Sequence, residues 1–492
     1  FNSRSVYFLL LKYYPYIIAI IVLVLDIITA YRIVIDTHNS AKTLAYLLLV
    51  FILPVIGSVF YFSFGVNYRK KKIYSKKIIS NDLLYRDIMQ RLLTTSKKTE
   101  DAFGAELKYY KDIVHFLIND SSSLLSLNRV TLLLNGENKF NAVLDALESA
   151  RSYIHLEYYI FEYDVIGKKI IEILKRKAAE GVKVRFIYDD FGSHSLRKVL
   201  SELRAAGIEI FPFYKIRFFF LANRINYRNH RKIIVIDGIT GFIGGINVSD
   251  RYINTGEEKK IYWRDTHLKI EGPAVNNLQY HFIANWNFAS ESRLDIHPSY
   301  FPLDFSVQAG KELVQIVPGG PDYPSSGIML SFFTAIVMAR QKLYITSPYF
   351  IPNDSICDAL KKAALSGKDV RLLLPGISDS RIVNAAARSY FYDMLSSKVR
   401  IYLYNKGFVH AKTMIVDDMV SIVGTANMDV RSFDLNFEIN AVVYGKEING
   451  QLTEAFMEDL ACSEEVTLEE WLQRGPFHRF IDASARLLSP LL

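Results

Sequence analysis

Apolar residues crowd together at the start of this chain and then space themselves out. Residues 13–66 hold 38 hydrophobic side chains in 54 positions, in two blocks at 13–35 and 44–66 divided by a polar stretch from Asp36 to Thr43. Each block has 23 residues, which at about 1.5 Å per residue is enough for a helix to cross a hydrocarbon core of about 30 Å. The pattern therefore predicts a transmembrane helical hairpin within residues 1–67. A signal peptide would have one shorter apolar region ending in a small-residue cleavage site, and a buried core helix would not come as a tandem pair. Asp26 and Arg32 interrupt the first block; Asp26 is expected to face the partner helix or meet a polar group there rather than take part in catalysis.

Beyond the blocks the pattern changes twice. Residues 68–77 carry six cations and no acid, a collar that sets topology, holds anionic headgroups, or does both. With the amphipathic stretch that follows, such as 83–93, it makes a connector over residues 68–125. Strand-length apolar runs then alternate with helical segments: 153–161, a helix from about Ile166 to Ala179, and 182–188. That alternation predicts an α/β sheet covered by helices. The order returns further on as a strand at 343–351, a helix from about Ser355 to Ser366 and a strand at 367–374. Tyr159 recurs as Tyr349 and Gly181 as Gly367, at nearly the same offset. An offset this long is no solenoid repeat. It predicts two copies of one domain, at 126–305 and 306–492.

Composition removes several alternatives. With 50% hydrophobic and 22% charged residues in 492 positions, the chain has ample core material and is not disordered. Two cysteines, Cys357 and Cys462, cannot staple a chain this long. The net charge of +8 invites nucleic acid or an anionic membrane as partner. However, residues 1–77 hold ten basic and two acidic side chains, and the other 415 hold 49 of each sign. The basic balance therefore belongs to the hairpin and its collar, which favours the membrane.

The candidate chemistry sits late in each copy. His230, Lys232, Asp237, Gly244 and Asn247 recur at identical spacing as His410, Lys412, Asp417, Gly424 and Asn427. Matching those four further positions by chance after any histidine has odds on the order of one in ten thousand, and matching them twice is far rarer. His267-Leu268-Lys269 shares the opening but has Ala274 where the aspartate should be, so it is expected to be ordinary strand. The runs after both motif histidines are rich in Ile and Val, and side chains two apart on a strand share a face. His230 and Lys232 should point together, as should His410 and Lys412. Asp237 and Asp417 lie an odd number of residues from their histidines and should do structural work at a turn.

Such a set suits phosphate chemistry without metal or cofactor. Ammonium groups can neutralise non-bridging oxygens, one neutral imidazole can attack phosphorus, and the other, protonated, can supply a proton to the leaving alcohol. Asn247 and Asn427 would add amide donors. Each imidazole needs its other ring nitrogen held, usually by a carboxylate. Glu438 is a candidate downstream of His410, and Asp265 is one downstream of His230. Both stand at strand-like positions; salt-bridged surface acids are the alternative reading.

The duplicated H-x-K-x4-D-x6-G-x2-N resembles the signature of the phospholipase D superfamily. Taken with the two apolar blocks, the Gly319-Gly320-Pro321-Asp322 loop, Ser347 to Pro352, Asn427 to Ser432 and Leu488 to Leu492, the chain resembles the bacterial cardiolipin synthases over nearly its whole length. The resemblance implies two tandem phospholipase D-like α/β/α domains related by a pseudo-twofold axis, with one site between them. It also implies transfer of a phosphatidyl group from one phosphatidylglycerol to another with release of glycerol through a phosphohistidine. His230 would be the nucleophile and His410 the acid. Hydrolytic phospholipase D activity, another phosphatidyl transfer, a nuclease of the superfamily cutting nucleic-acid phosphodiesters, or a catalytically dead membrane scaffold are the competing readings. Partners would be phosphatidylglycerol and anionic lipids, with no nucleic acid, in a bacterial inner membrane with the catalytic domains cytoplasmic; the oligomeric state is open, a homodimer being one option. Gly245 stands where the superfamily often has Ser, and residues 214–221, which mix cations with aromatics, are expected either to enter the membrane interface or to form a buried strand.

Overall fold

The structure, a computed structural model, describes residues 3–37, 40–62, 83–121, 123–214, 227–255, 261–302, 310–323, 325–487 and 489. The basic collar at 68–77 and residues 215–221 of the aromatic segment lie outside the described residues. Tyr214, which is described, packs edge-on against Phe213 and Phe288. The chain divides into two compact units, one containing the N-terminal apolar blocks and a second containing Ser75–Lys215 and Arg228–Leu492.

In the N-terminal unit, helix Ser3–Asp36 contains the segment Tyr13–Asp36, the one helix among the described residues long and apolar enough to cross a membrane. The second block is not the single span its apolar length predicts. It forms helix Ser40–Ile52, breaks, and resumes as Ile56–Phe60. Pro54 lacks the N–H that would continue the helix, and Val55 takes a left-handed φ of 66°. Gly57 follows, where any Cβ would run into the backbone of Leu49 and Val50, so glycine lets the short helix fold back along its predecessor. Buried Ser58 donates to the Asp26 carboxylate at 2.7 Å, satisfying an acid that an apolar surround would otherwise penalise.

The second unit is organised by one sheet, fifteen-stranded among the described residues. The first copy orders its strands as Ser126–Leu134, Thr266–Glu271, Thr240–Gly244, Lys232–Ile236, Tyr153–Tyr158, Lys183–Tyr188 and Glu209–Pro212. The second repeats that order with Glu312–Gly319, Glu438–Tyr444, Val420–Gly424, Thr413–Val416, Lys342–Thr346, Asp369–Pro375 and Arg400–Tyr404, and adds Ser463–Val466 at its edge. The copies join where their first strands pair antiparallel, Leu127 opposite Leu313. Two equivalent copies joined through equivalent antiparallel strands are related by a local twofold, so equivalent loops converge from opposite sides. Helices cover both faces, and the core strands run as continuous apolar stretches because both faces are buried. The expected strand at 343–351 stops at Thr346, and Phe350–Ile351 pairs instead with Met428–Asp429 in a separate small ladder. His267 lies within strand Thr266–Glu271, fully buried.

Candidate active site

The two motif hairpins are equivalent. Strand Lys232–Ile236 turns at Asp237 and Gly238 into Thr240–Gly244, and Thr413–Val416 turns at Asp417 into Val420–Gly424. Both aspartates hold left-handed φ, 52° and 51°. Asp237 accepts the backbone N–H groups of Arg151, Ser152 and Tyr153, each at 2.8 Å. Asp417 does the same for Arg340, Gln341 and Lys342 and takes the Tyr110 hydroxyl. Each carboxylate therefore ties its hairpin turn to the start of the neighbouring strand, far from the histidines.

The histidines sit just before these strands, in short segments that cross to the other copy. His230 donates its backbone N–H to Phe437 O, and Phe437 donates to Arg228 O. Likewise Gly407–Val409 pairs parallel with Tyr262–Arg264, and His410 N–H reaches Arg264 O at 2.7 Å. Each motif histidine is thereby laid beside the carboxylate of the opposite copy. His230 Nδ1 lies 2.9 Å from Glu438 Oε2, and His410 Nδ1 lies 2.8 Å from Asp265 Oδ2. Proximity in sequence had suggested the reverse assignment, Glu438 with His410 and Asp265 with His230; cross-copy backbone pairing overrides it. Neither acid is a surface acid, since both are fully buried.

Around this centre both imidazoles and both ammoniums are displaced from their ordinary pKa. Burial pushes the His230 imidazole down to about 4 even though Glu438 opposes it, and Lys232 and Lys412 add to the drop. Burial with Lys412 takes His410 to about 3 against the pull of Asp265. Burial also lowers the ammoniums, Lys232 to about 7 and Lys412 to about 8, and the nearby carboxylates keep them from falling further. Burial alone would raise the Glu438 carboxyl, but His230, Lys232 and the Thr425 hydroxyl hold it below its usual range. Four basic side chains thus share one desolvated pocket, and each is destabilised as a cation until an anion enters.

Lys232 Nζ donates to His230 O at 2.7 Å. Lys412 Nζ donates to His410 O and also sits 2.9 Å from His410 Nδ1. Asn247 is committed to the protein on both sides of its amide: Nδ2 donates to the Tyr252 hydroxyl at 2.7 Å and Oδ1 accepts Ile160 N. Asn427 is buried beside Asp429, whose carboxyl burial raises to about 6 while bonds from Ser432 and Asn427 temper the rise.

Several contributors carry no motif. Arg231, fully buried between His230 and Lys232, reaches across the copies to Glu438 O at 3.0 Å and Gly319 O at 3.1 Å. Arg264 grips the other carboxylate residue from beside it, donating to Asp265 O at 2.7 Å and pairing with Asp459. Beneath His230, Glu157 accepts from Asn229 and Asn285, and Asp189 accepts the Asn229 N–H. The sequence marks them weakly: Glu157 is a charged residue inside an apolar strand run, and Arg231 stands between two motif residues. Gly245 also has a structural reason, because a Cβ there would run into the Asp265 carboxylate.

Two motif copies thus converge with paired histidines, lysines and carboxylates, a candidate site on a phospholipase D-like fold. Residues 143–286 and 332–460 match the family described as cardiolipin synthase, PLD-like domain, and residues 17–65 match a phospholipase D-nuclease N-terminal segment. The chain is 42% identical over 470 residues to a cardiolipin synthase of Geobacillus sp. strain WCH70, covering 94% of this chain and 91% of that protein. It is 41% identical over 459 residues to that of Alkalihalophilus pseudofirmus, covering 93% and 90%, and 39% identical over 462 residues to that of Clostridium perfringens strain 13, covering 93% and 96%. Among solved structures, phosphatidylserine synthase from Haemophilus influenzae superposes with a TM-score of 0.58 at 12% identity, over 77% of this chain and all of that one, a likeness of fold. The chain belongs to the cardiolipin synthase family.

Proposed function

We propose that the site transfers a phosphatidyl group from one phosphatidylglycerol to a second through a phosphohistidine at His230. The observation that carries this reading is the environment of His230 Nδ1, whose partner at 2.9 Å is the Glu438 carboxylate. A carboxylate can only accept, so Nδ1 is the protonated nitrogen and Nε2 keeps the lone pair needed to attack phosphorus. His410 Nδ1 lies between a carboxylate that needs its proton and an ammonium that needs its lone pair. That ring has no single enforced tautomer, which suits a group that must release and regain a proton.

In the first step His230 Nε2 forms the N–P bond, the bond to the glycerol oxygen breaks, and protonated His410 gives that oxygen its proton. In the second, neutral His410 takes the proton of a hydroxyl on another phosphatidylglycerol, whose oxygen displaces His230 to yield cardiolipin. Both imidazoles are neutral in the free pocket. The first step therefore requires His410 to take up a proton as the phosphodiester anion arrives, since a nearby anion raises the pKa of a base. Lys232 and Lys412 hold the non-bridging oxygens, whereas Asn247, expected to add an amide donor, is bonded to Tyr252 and Ile160 and braces the loop instead.

The apolar helix and family membership indicate membrane association; we place both ends of the N-terminal segment and the catalytic domains on the cytoplasmic side, from the cations at 68–77. Incubation with phosphatidylglycerol should give cardiolipin and glycerol in equal amounts; phosphatidic acid and glycerol instead would replace transfer with hydrolysis. A rapid quench with a labelled phosphatidyl donor should leave acid-labile, base-stable label on the protein.

A further inference from the structure

Helix Pro476–Arg486 is seated the reverse of an ordinary surface helix. Its buried positions are Asp482 and Ala485, and Asp482 pairs with Arg474 at 2.6 Å. Phe477 and Phe480 are each 70% exposed, Ile481 is 41% exposed and Leu487, just after it, is 81% exposed. At about 100° per residue these four fall within about 120° of the helix circumference, an apolar stripe turned outward and interrupted only by the small Ser484. Helix Arg381–Arg388 packs against it and carries Ile382, 54% exposed, with Ile377 equally exposed in the loop before it.

Cations border the stripe. Residues 376–393 and 474–487 together hold five arginines against three aspartates. The aspartates are engaged: Asp482 by Arg474, Asp393 by Arg486 at 3.7 Å, and Asp379 by the Tyr349 hydroxyl at 2.6 Å. Arg381 and Arg479 add exposed positive charge. The surface also adjoins the chemistry. Asp379 acts electrostatically on Lys412, and a small cavity under helix Arg381–Arg388 is lined by Pro348, Phe350, Pro375, Val383 and Phe391. Phe350 belongs to the ladder with Met428, next to Asn427.

We propose that helices Pro476–Arg486 and Arg381–Arg388 form an interfacial docking surface on which the catalytic unit rests against an anionic phospholipid bilayer, on the His410 side of the site. Outward aromatics with flanking arginines are what a helix lying in the headgroup region requires. A twofold contact with a second copy would instead bring the same arginines face to face. The inference rests on the lipid reading above and adds a surface for that reading to act from.

The test uses the full chain reconstituted in vesicles containing phosphatidylglycerol, with exposed Cys462 changed to Ser and Cys357 left buried. A fluorophore on Phe480→Cys should be quenched by brominated acyl chains and shielded from iodide, and one on Lys169→Cys, an exposed position of helix Val165–Ala179, should behave oppositely. Iodide access at position 480 would overturn the proposal, as would shielding from both quenchers, which would mean that protein covers the stripe. In a parallel assay, Phe477→Ser with Phe480→Ser should raise the apparent KM for vesicle phosphatidylglycerol about tenfold while turnover of a short-chain monomeric analogue stays within about twofold; equal loss on both substrates would overturn it. Quenching needs no turnover, so failure of the docking surface and failure of the transfer reaction separate.

Discussion

His230 and His410 occupy equivalent places in the two copies, but the acids that hold them are built differently. Glu438 has the longer arm and three side-chain donors: His230 and Thr425 on one oxygen, the latter at 2.6 Å, and Asn436 at 3.2 Å on the other. Arg231 fixes its carbonyl from across the copies. Asp265 has the shorter arm, bonds His410 and the Thr266 N–H, and stands where Gly245 leaves room. Thr425 is the counterpart of Gly245, and Ala411 that of Arg231. One half therefore clamps its carboxylate with side chains, and the other wedges its carboxylate against backbone. Charge-assisted bonds of this kind fix orientation as well as energy, so the clamped half suits the nucleophile proposed at His230 and the wedged half the proton carrier proposed at His410.

Removing the rings gives the largest effects and can break the assignment. His230→Ala should abolish cardiolipin formation and phosphoenzyme label. His410→Ala should lose about 10²- to 10⁴-fold with phosphatidylglycerol yet still accumulate label from a phosphatidyl ester of nitrophenol, a leaving group that needs no proton. If His410→Ala loses the label and His230→Ala keeps it, the roles are exchanged.

The acids come next. Glu438→Gln should lower kcat by about 10³-fold, because the amide stabilises the wrong tautomer of the attacking ring. Asp265→Asn should cost less, about tenfold to a hundredfold, since Lys412 also addresses that ring nitrogen. Equal losses would erase the distinction between the halves.

The two small positions sharpen it further. Gly245→Ala should displace Asp265 and reduce kcat, whereas Thr425→Val removes one donor to Glu438 and should destabilise the fold by about 1 kcal/mol, read from a denaturant midpoint, with a smaller loss of kcat.

The smallest signal lies in pH. The proposed reaction needs both lysines charged and a proton taken up on His410 as substrate binds, so kcat/KM should fall with rising pH, most steeply above about pH 7 to 8 as Lys232 and then Lys412 lose their protons. In kcat the alkaline limb should move upward, because the bound anion stabilises both ammoniums. An alkaline limb at the same pH in both parameters would contradict lysine control.

Much of this arrangement was legible in advance because its signals are local. The repeated spacing marked both hairpins, and the parity argument took Asp237 and Asp417 out of the histidine face, where their bonds to backbone N–H groups also put them. Alternating strand and helix patterns placed the helices now seen at Val165–Ala179 and Asp354–Leu365 to within a residue or so. The second apolar block misled because block length says nothing of Pro54 and the turn it imposes. Thr425, Arg231 and Glu157 stayed hidden because no local pattern distinguishes a buried polar residue that will find a partner from one that will face solvent.

The sequence by itself determined the duplication, the tool set of His, Lys and Asn, the turn aspartates and the confinement of excess positive charge to the N-terminal segment that ends with the collar. Which acid serves which histidine was decided by tertiary structure alone. Glu438 follows soon after His410 along the chain but bonds His230, at a separation of 208, and Asp265 bonds His410 at a separation of 145. The reason is the antiparallel union of the two first strands: it sets the copies face to face, so each lead-in segment completes its backbone hydrogen bonds on the opposite copy and carries its histidine there.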